Sequence, residues 1–208
     1  MIYKNFIREN HKNNPNLPLC ERCNVLKRHC ICSFLDRMYD TKIRISMFLH
    51  FKELFKLTNT GKFIPLILNN SYLDVHGLKD NSPDISLLLP DNYENVLLFP
   101  YTQTELNQSF LDRFEKPINL IVPDASWRQS ARMIRRYDEL CSLKRVKVNA
   151  YTFEKIRMRK NLVDGNISTI EAVAAALASV DDIHVANRLQ ELYDVYSNRI
   201  LNDLYCNS

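Results

Sequence analysis

No apolar run in this chain approaches the roughly 20 residues that a membrane span requires, the nearest candidates being interrupted by Asn, Pro or a charge. The protein is therefore expected to be soluble, cytoplasmic and free of membrane contact. Nothing before Cys20 resembles a signal peptide, since Met1 to Leu19 is polar and rich in Asn and Lys. An oxidising compartment, and with it a disulfide framework, is the weaker expectation. Internal repeats and low-complexity tracts are absent, and only Asn10 to Pro18 reads as a loose linker. Charge of one sign is lacking too: 28 Lys and Arg against 24 Asp and Glu leave a formal +4 at pH 7, too little to indicate nucleic acid by itself. Where the charge lies is then more informative than its sum.

What the chain does have, close to its start, is cysteine. Cys20-Glu-Arg-Cys23 and Cys30-Ile-Cys32 place four thiols within thirteen residues. Such spacing lets Cys20, Cys23, Cys30 and Cys32 converge on one tetrahedral ion, the closed geometry of structural zinc. Two disulfides, or four unrelated buried thiols, are the competing readings. Arg22, Lys27, Arg28 and His29 surround the thiolates and would offset their charge, and a basic knuckle held by metal suggests a nucleic-acid partner. Cys141 and Cys206 stand apart and read as buried or incidental thiols. A chain of 208 residues can bury a substantial core, so one large domain with a small metal-bound appendage is the economical organisation. Residues 1–40 would form the zinc-binding segment and residues 41–208 the main domain.

The pattern after the knuckle alternates strand and helix. Ile43 to Leu49, Asn95 to Phe99 (stopped by Pro100), Ile118 to Val122 (stopped by Pro123) and Leu143 to Val148 are short apolar runs of strand type. Helical stretches follow His50, span Thr104 to Phe114 and Trp127 to Cys141, and close the chain from Thr169 onward. Strands separated by helices predict an α/β fold with a mostly parallel sheet flanked by helices. Ligands of such sheets bind beyond the carboxyl ends of the strands, which is where His50, Pro100-Tyr101 and Asp124 fall.

The Trp127 to Cys141 stretch is strongly two-faced. At 100° per residue, Trp127, Ala131, Met133, Ile134, Tyr137, Leu140 and Cys141 share one apolar arc, and Arg128, Arg132, Arg135 and Arg136 lie opposite. No acid is interleaved among the four arginines, so salt bridges within the helix do not account for them. They read either as a phosphate-binding face or as a solvated one. Just ahead stand Asp124-Ala-Ser126-Trp127, where Asp124 is either a chemical group or an ordinary N-cap. Trp127 either stacks on a base or holds the aspartate loop against the core, or is simply a core residue of the helix face.

These four residues resemble the Asp-x-Thr-Trp signature of the DTW-domain family, the tRNA-uridine aminocarboxypropyltransferases, with Ser in place of Thr. Other blocks match in the same order: the cysteine quartet, His50-x-x-Glu53-x-x-Lys56-x-Thr58-Asn59-Thr60-Gly61, Arg157-x-Arg159-Lys160, and Ser168-Thr169-Ile170-Glu171-Ala172. The resemblance covers nearly the whole chain. It implies a SPOUT-related fold with a trefoil knot around the cofactor, and an enzyme that moves the 3-amino-3-carboxypropyl group of S-adenosylmethionine to the ring nitrogen between the carbonyls of a tRNA uridine, leaving methylthioadenosine.

On that reading Asp124 is the general base, with Ser126 and Trp127 beside it. Thr58, Asn59, Thr60, Gly61, Pro100, Tyr101, Asp124, Ser168, Thr169 and Glu171 would contact S-adenosylmethionine, the Thr58 to Gly61 turn through its hydroxyls, amide and exposed backbone. That turn is otherwise a simple loop. Ser168 and Glu171 also form a capping box whatever else they do. Arg128, Arg132, Arg135, Arg136, Arg157, Arg159 and Lys160 would hold tRNA, and the protein is expected to act as a monomer. Two other classes stand beside this one: a SPOUT-type RNA methyltransferase with the same cofactor, and a non-catalytic zinc-containing RNA-binding module.

Overall fold

The computed structural model describes residues 18–54, 56, 58–79, 82–149 and 167–206. Arg157, Arg159 and Lys160, together with most of the Asn10 to Pro18 stretch, lie outside them. Five strands, β1 (Arg44–His50), β2 (Ser71–His76), β3 (Glu94–Leu98), β4 (Ile118–Asp124) and β5 (Lys144–Val146), make one sheet in the order β2-β1-β4-β3-β5. All four pairings are parallel. The central strands are near-continuous apolar runs because helices cover both faces: β1 has five consecutive buried residues between half-buried ends.

The α/β expectation is met, with one strand more than the sequence announces. Only Leu73 and Val75 of β2 are buried, and its other residues are polar or aromatic and half-exposed, so this edge strand does not show as an apolar run. β4 runs two residues beyond its expected stop, through Pro123, which lacks a donor but keeps an extended backbone beside Phe48. That extension makes Asp124 the last residue of the strand.

Among the described residues the α-helices are α1 (Ile64–Ile67), α2 (Ile85–Leu88), α3 (Gln108–Leu111), α4 (Trp127–Arg135), α5 (Asp138–Cys141), α6 (Thr169–Ala178) and α7 (Ile183–Cys206). The expected Thr104 to Phe114 helix shrinks to α3, started by Asn107, whose side chain accepts from the Phe110 N–H at 2.9 Å. The expected Trp127 to Cys141 helix is broken at Tyr137, which is extended at φ −125°, ψ 116°. Its ring meets Phe48 edge-on at 5.7 Å and its hydroxyl lies 3.1 Å from His76 Nδ1. A single helix could not make those contacts, and no Gly or Pro marks the break.

The two faces of the sheet carry separate cores. On one, Met47, Leu49, Leu120 and Val122 pack against α6 and α7, where Val173, Ala174, Leu177, Leu189 and Tyr196 are fully or almost fully buried. Alanine at three successive positions lets α6 approach the sheet closely. Cys23, Val25, Ile31 and Leu35 of the cysteine segment belong to this same core. On the other face Phe48, Leu97 and Ile121 pack under Met133, Ile134 and Leu140 from α4 and α5.

Candidate functional site

The carboxyl ends of β1, β3 and β4 meet at one edge, bringing His50, the Phe99-Pro100-Tyr101 turn and Asp124 together as parallel sheets do. Asp124 is the centre of this edge and only 6% exposed. Asn59 Nδ2 donates to its Oδ2 at 2.7 Å, and Thr169 Oγ1 donates to its Oδ1 at 2.8 Å. These donors come from the loop before α1 and from the first residue of α6, which are separated from Asp124 by 65 and 45 residues respectively. Three distant sequence blocks therefore close on one carboxylate. Thr60 joins them, its hydroxyl accepting from the Ile170 N–H at 3.2 Å.

Burial is the main influence on this group and raises its pKa to about 6, against the opposing effect of Thr169 and Asn59. Glu53 pushes in the same direction as burial, and Lys56, paired with Glu53 at 2.7 Å, pulls back. The carboxyl is thus mostly ionised at neutral pH and far more basic than an ordinary aspartate. Each oxygen spends one acceptor site on its donor and retains another.

Asp124 is not an N-cap. The residue at the start of α4 is Ser126, whose N–H and hydroxyl both donate to Gln129 Oε1, at 3.1 and 2.6 Å. The expected exposed backbone of the Thr58 to Gly61 turn is also corrected: Asn59, Thr60 and Gly61 are buried and only Thr58 is open. Gly61 lies flat against the carboxylate, where a Cβ would overlap Asp124 Oδ2 and come within 3.0 Å of Met47 Cε. Ser168 and Glu171 form the expected box, with Glu171 Oε2 accepting from the Ser168 N–H at 2.9 Å and from its hydroxyl at 2.7 Å.

Trp127 is not a core residue: 59% of it is exposed, because although it shares the angular position of the buried Ile134 it is the first residue of α4 and stands two turns ahead of it, at the open end of the helix. Its neighbours are Phe99 and Tyr101, with ring centroids at 6.4 and 6.1 Å. Arg128, Arg132, Arg135 and Arg136 are all exposed, and none pairs with a carboxylate among the described residues. Cys141, expected to be buried or incidental, is exposed.

Sequence reasoning missed two groups. His76, at the end of β2, sits 5.9 Å from His50 ring to ring, and burial lowers the pKa of both imidazoles. Recognising β2 as a strand would have placed it beside His50, its register partner. Lys62 is almost wholly buried behind Gly61, where burial lowers its pKa to about 8 against the pull of Cys23 and Asp124. Nothing in its neighbours in the chain distinguishes it from a surface lysine.

The four thiols gather as their spacing predicts. All four Sγ atoms lie within 4.8 Å of one another, with Cys20 to Cys32 at 3.4 Å, Cys20 to Cys30 at 3.5 Å and Cys23 to Cys30 at 3.8 Å. A tetrahedron of Zn–S bonds near 2.3 Å has edges of about 3.8 Å, whereas a disulfide needs about 2.05 Å. The quartet could hold a metal ion and is compatible with zinc. Asn24 completes the first turn in the left-handed region at φ 54°, a conformation that Asn tolerates. The backbone closes behind it through Asn24 N–H to Cys20 O at 2.9 Å and Cys20 N–H to Val25 O at 2.7 Å.

No helix among the described residues is long and apolar enough to cross a membrane. A family model described as the DTW domain matches residues 17–201, a span that takes in the cysteine quartet, Asp124 and its donors and most of α7. That match is consistent with a tRNA-modifying enzyme. No solved structure matches the chain.

Proposed function

The chain belongs to the DTW-domain family, and from that premise we propose that it transfers the 3-amino-3-carboxypropyl group of S-adenosylmethionine to the ring nitrogen of a uridine in tRNA. The observation that carries the proposal is the convergence of Asn59 and Thr169 on Asp124, because a structural aspartate would not need a buried, raised-pKa carboxylate assembled from three separate segments.

In this reading Asp124 takes the N3 proton of the uracil. The freed nitrogen pair forms a bond to the carbon next to sulfur, the carbon–sulfur bond breaks toward sulfur, and neutral methylthioadenosine leaves. S-adenosylmethionine supplies the sulfonium leaving group, so no covalent enzyme intermediate is required. Asn59 and Thr169 fix the carboxylate in place, and Gly61 lets the loop lie against it. Positioned proton transfer of this kind contributes about 10²–10⁴-fold. Thr58, the backbone of Pro100 and Tyr101, and the start of α6 at Ser168, Thr169 and Glu171 would hold the cofactor, in the knotted arrangement that the resemblance implies. Ser126 sets the entry angle of α4, with Trp127 beside it. Arg128, Arg132, Arg135 and Arg136, with Arg157, Arg159 and Lys160, would hold the tRNA backbone. Zinc in the cysteine quartet serves structure in this proposal, with residues 1–40 and 41–208 as its two parts and a monomer as the working unit.

The test is the by-product. Incubation with S-adenosylmethionine and tRNA should release methylthioadenosine and leave uridine heavier by the aminocarboxypropyl group. Release of S-adenosylhomocysteine would make the protein a methyltransferase instead, and tRNA binding without any cofactor turnover would leave it a binding module.

A further inference from the structure

Tyr101 is 74% and Trp127 59% exposed, the two most open aromatic residues among the large exposed side chains described. They lie on different segments, one after β3 and the other opening α4, yet their rings stand 6.1 Å apart, inclined at 59°. Phe99 backs both, edge-on at 5.7 Å to Tyr101 and 6.4 Å to Trp127. The Arg145 guanidinium from β5 lies 5.3 Å from the Phe99 ring centre.

Large aromatic surface left in water is unfavourable unless something covers it. A small cofactor is a poor candidate, because small-molecule sites bury most of their ligand and these rings face outward. The charge around them is instructive. Trp127 begins the helix that carries Arg128, Arg132 and Arg135, and Arg136 follows it; all four are exposed and without carboxylate partners among the described residues. Aromatic faces beside an unpaired row of guanidiniums match a ligand that is a polyanion with accessible π-faces. In paired RNA the bases are stacked on each other and closed to side chains, so the match is to an unpaired segment.

We propose that Tyr101 and Trp127, backed by Phe99, form a stacking surface for an unpaired base of the RNA substrate, next to the uridine presented to Asp124. The proposal rests on the reading of the protein as an RNA-modifying enzyme, and it gives the Tyr101 ring a role separate from that of the Tyr101 backbone.

Trp127 is the only tryptophan in the chain, so its fluorescence reports on this surface alone. A uridine-containing single-stranded oligonucleotide should quench it, and the same sequence in a duplex should not. Tyr101→Ala should weaken binding of intact tRNA about 5- to 150-fold, the range for loss of one stacked base. Affinity for S-adenosylmethionine, measured by calorimetry, should stay within about twofold of the unmodified protein. Tyr101→Phe should restore most of the tRNA affinity, which separates stacking from a hydroxyl contact. Because the side chain is exposed, its replacement leaves the fold intact, as a circular dichroism spectrum would check. Unchanged tRNA affinity in Tyr101→Ala overturns the proposal, and so does a loss confined to S-adenosylmethionine, which would give the rings to the cofactor. If the unmodified protein binds no tRNA but the single strand still quenches Trp127, the surface stands and the tRNA reading falls; if neither binds, both fall.

Discussion

The two faces of the sheet handle polar groups in opposite ways where they meet the carboxyl edge. On the α6 face the polar side chains are buried and paired: Asp124 takes donors from Asn59 and Thr169, Thr60 takes the Ile170 amide, and Glu171 closes on Ser168. On the α4 face the polar and aromatic groups stand in water, with four guanidiniums and two rings uncovered. A buried carboxylate held by fixed donors has its geometry set before any substrate arrives, which is what proton transfer needs. An open, cationic and aromatic surface has its partners missing, which is what recognition of a larger molecule needs. The contrast predicts that changes on the first face alter chemistry or stability, and changes on the second alter affinity.

The largest effect should come from the cysteine quartet, because Cys23, Val25, Ile31 and Leu35 are part of the core on the paired face. Elemental analysis of protein purified without chelator should find one zinc per chain. Structural zinc supplies about 10–16 kcal/mol in small peptides. Stripping it with a strong chelator should lower the melting temperature by about 10 °C or more, given roughly 2–4 °C per kcal/mol at this size. No metal, or a melting temperature indifferent to the chelator, would detach the quartet from that face.

Asp124→Asn should reduce transfer about 10²–10⁴-fold while leaving binding of S-adenosylmethionine in place. Its effect on stability has the opposite sign from that of a salt-bridged acid. Because the folded carboxyl titrates near pH 6 against an ordinary 3.8, folding favours the protonated form, and the fold loses stability as pH rises between those values. The amide removes that dependence but turns an N–H toward Asn59 Nδ2 or the Thr169 hydroxyl, a lost hydrogen bond that costs about 1–3 kcal/mol, so the variant's stability should no longer fall between those pH values. The parent's rate should climb through pH 6 and then level. A rate flat from pH 5 to 8, or near-normal turnover by the variant, would remove Asp124 as the base.

Gly61→Ala probes the same face by crowding it. The added methyl must displace Asp124 or Met47, which should cost about 1–3 kcal/mol and misplace the carboxylate. An unchanged melting temperature and rate would mean that the loop is not tightly packed there.

The smallest change in stability, within about 0.5 kcal/mol, is expected from replacing Arg132 and Arg136 together by Ala on the open face. Binding to tRNA should nevertheless weaken, and its dependence on salt should flatten by roughly one counterion for each phosphate no longer neutralised. If affinity and salt slope both persist, these arginines are only a solvated face.

The sequence made the buried face more legible than the open one, though in an uneven way. Four apolar runs located four strands, and the capping pattern at Ser168 and Glu171 located the start of α6. Motif blocks named Asn59, Asp124 and Thr169, but not their mutual hydrogen bonds, since those depend on how three distant segments fold over one strand end. β2 was lost because an edge strand need bury only alternate residues. The break at Tyr137 was invisible because a long-range contact with His76 and Phe48, not a local breaker, stops the helix. Helical periodicity put Trp127 on the apolar arc and left a core role open beside stacking, whereas the first turn of a short helix can stand clear of what the later turns bury.

The pairing of β1 with β4 joins residues 44–49 to residues 119–124, and the group that completes Asp124's surroundings is Thr169. A ribosome making this chain therefore exposes β1 long before its central neighbour exists. The aspartate itself waits a further 45 residues for its last donor. Contacts of such long range form slowly. A nascent or truncated product ending before residue 168 would carry the aspartate but neither the Thr169 donor that fixes it nor the α6 packing beside it, so activity should appear as a late, all-or-nothing property of synthesis.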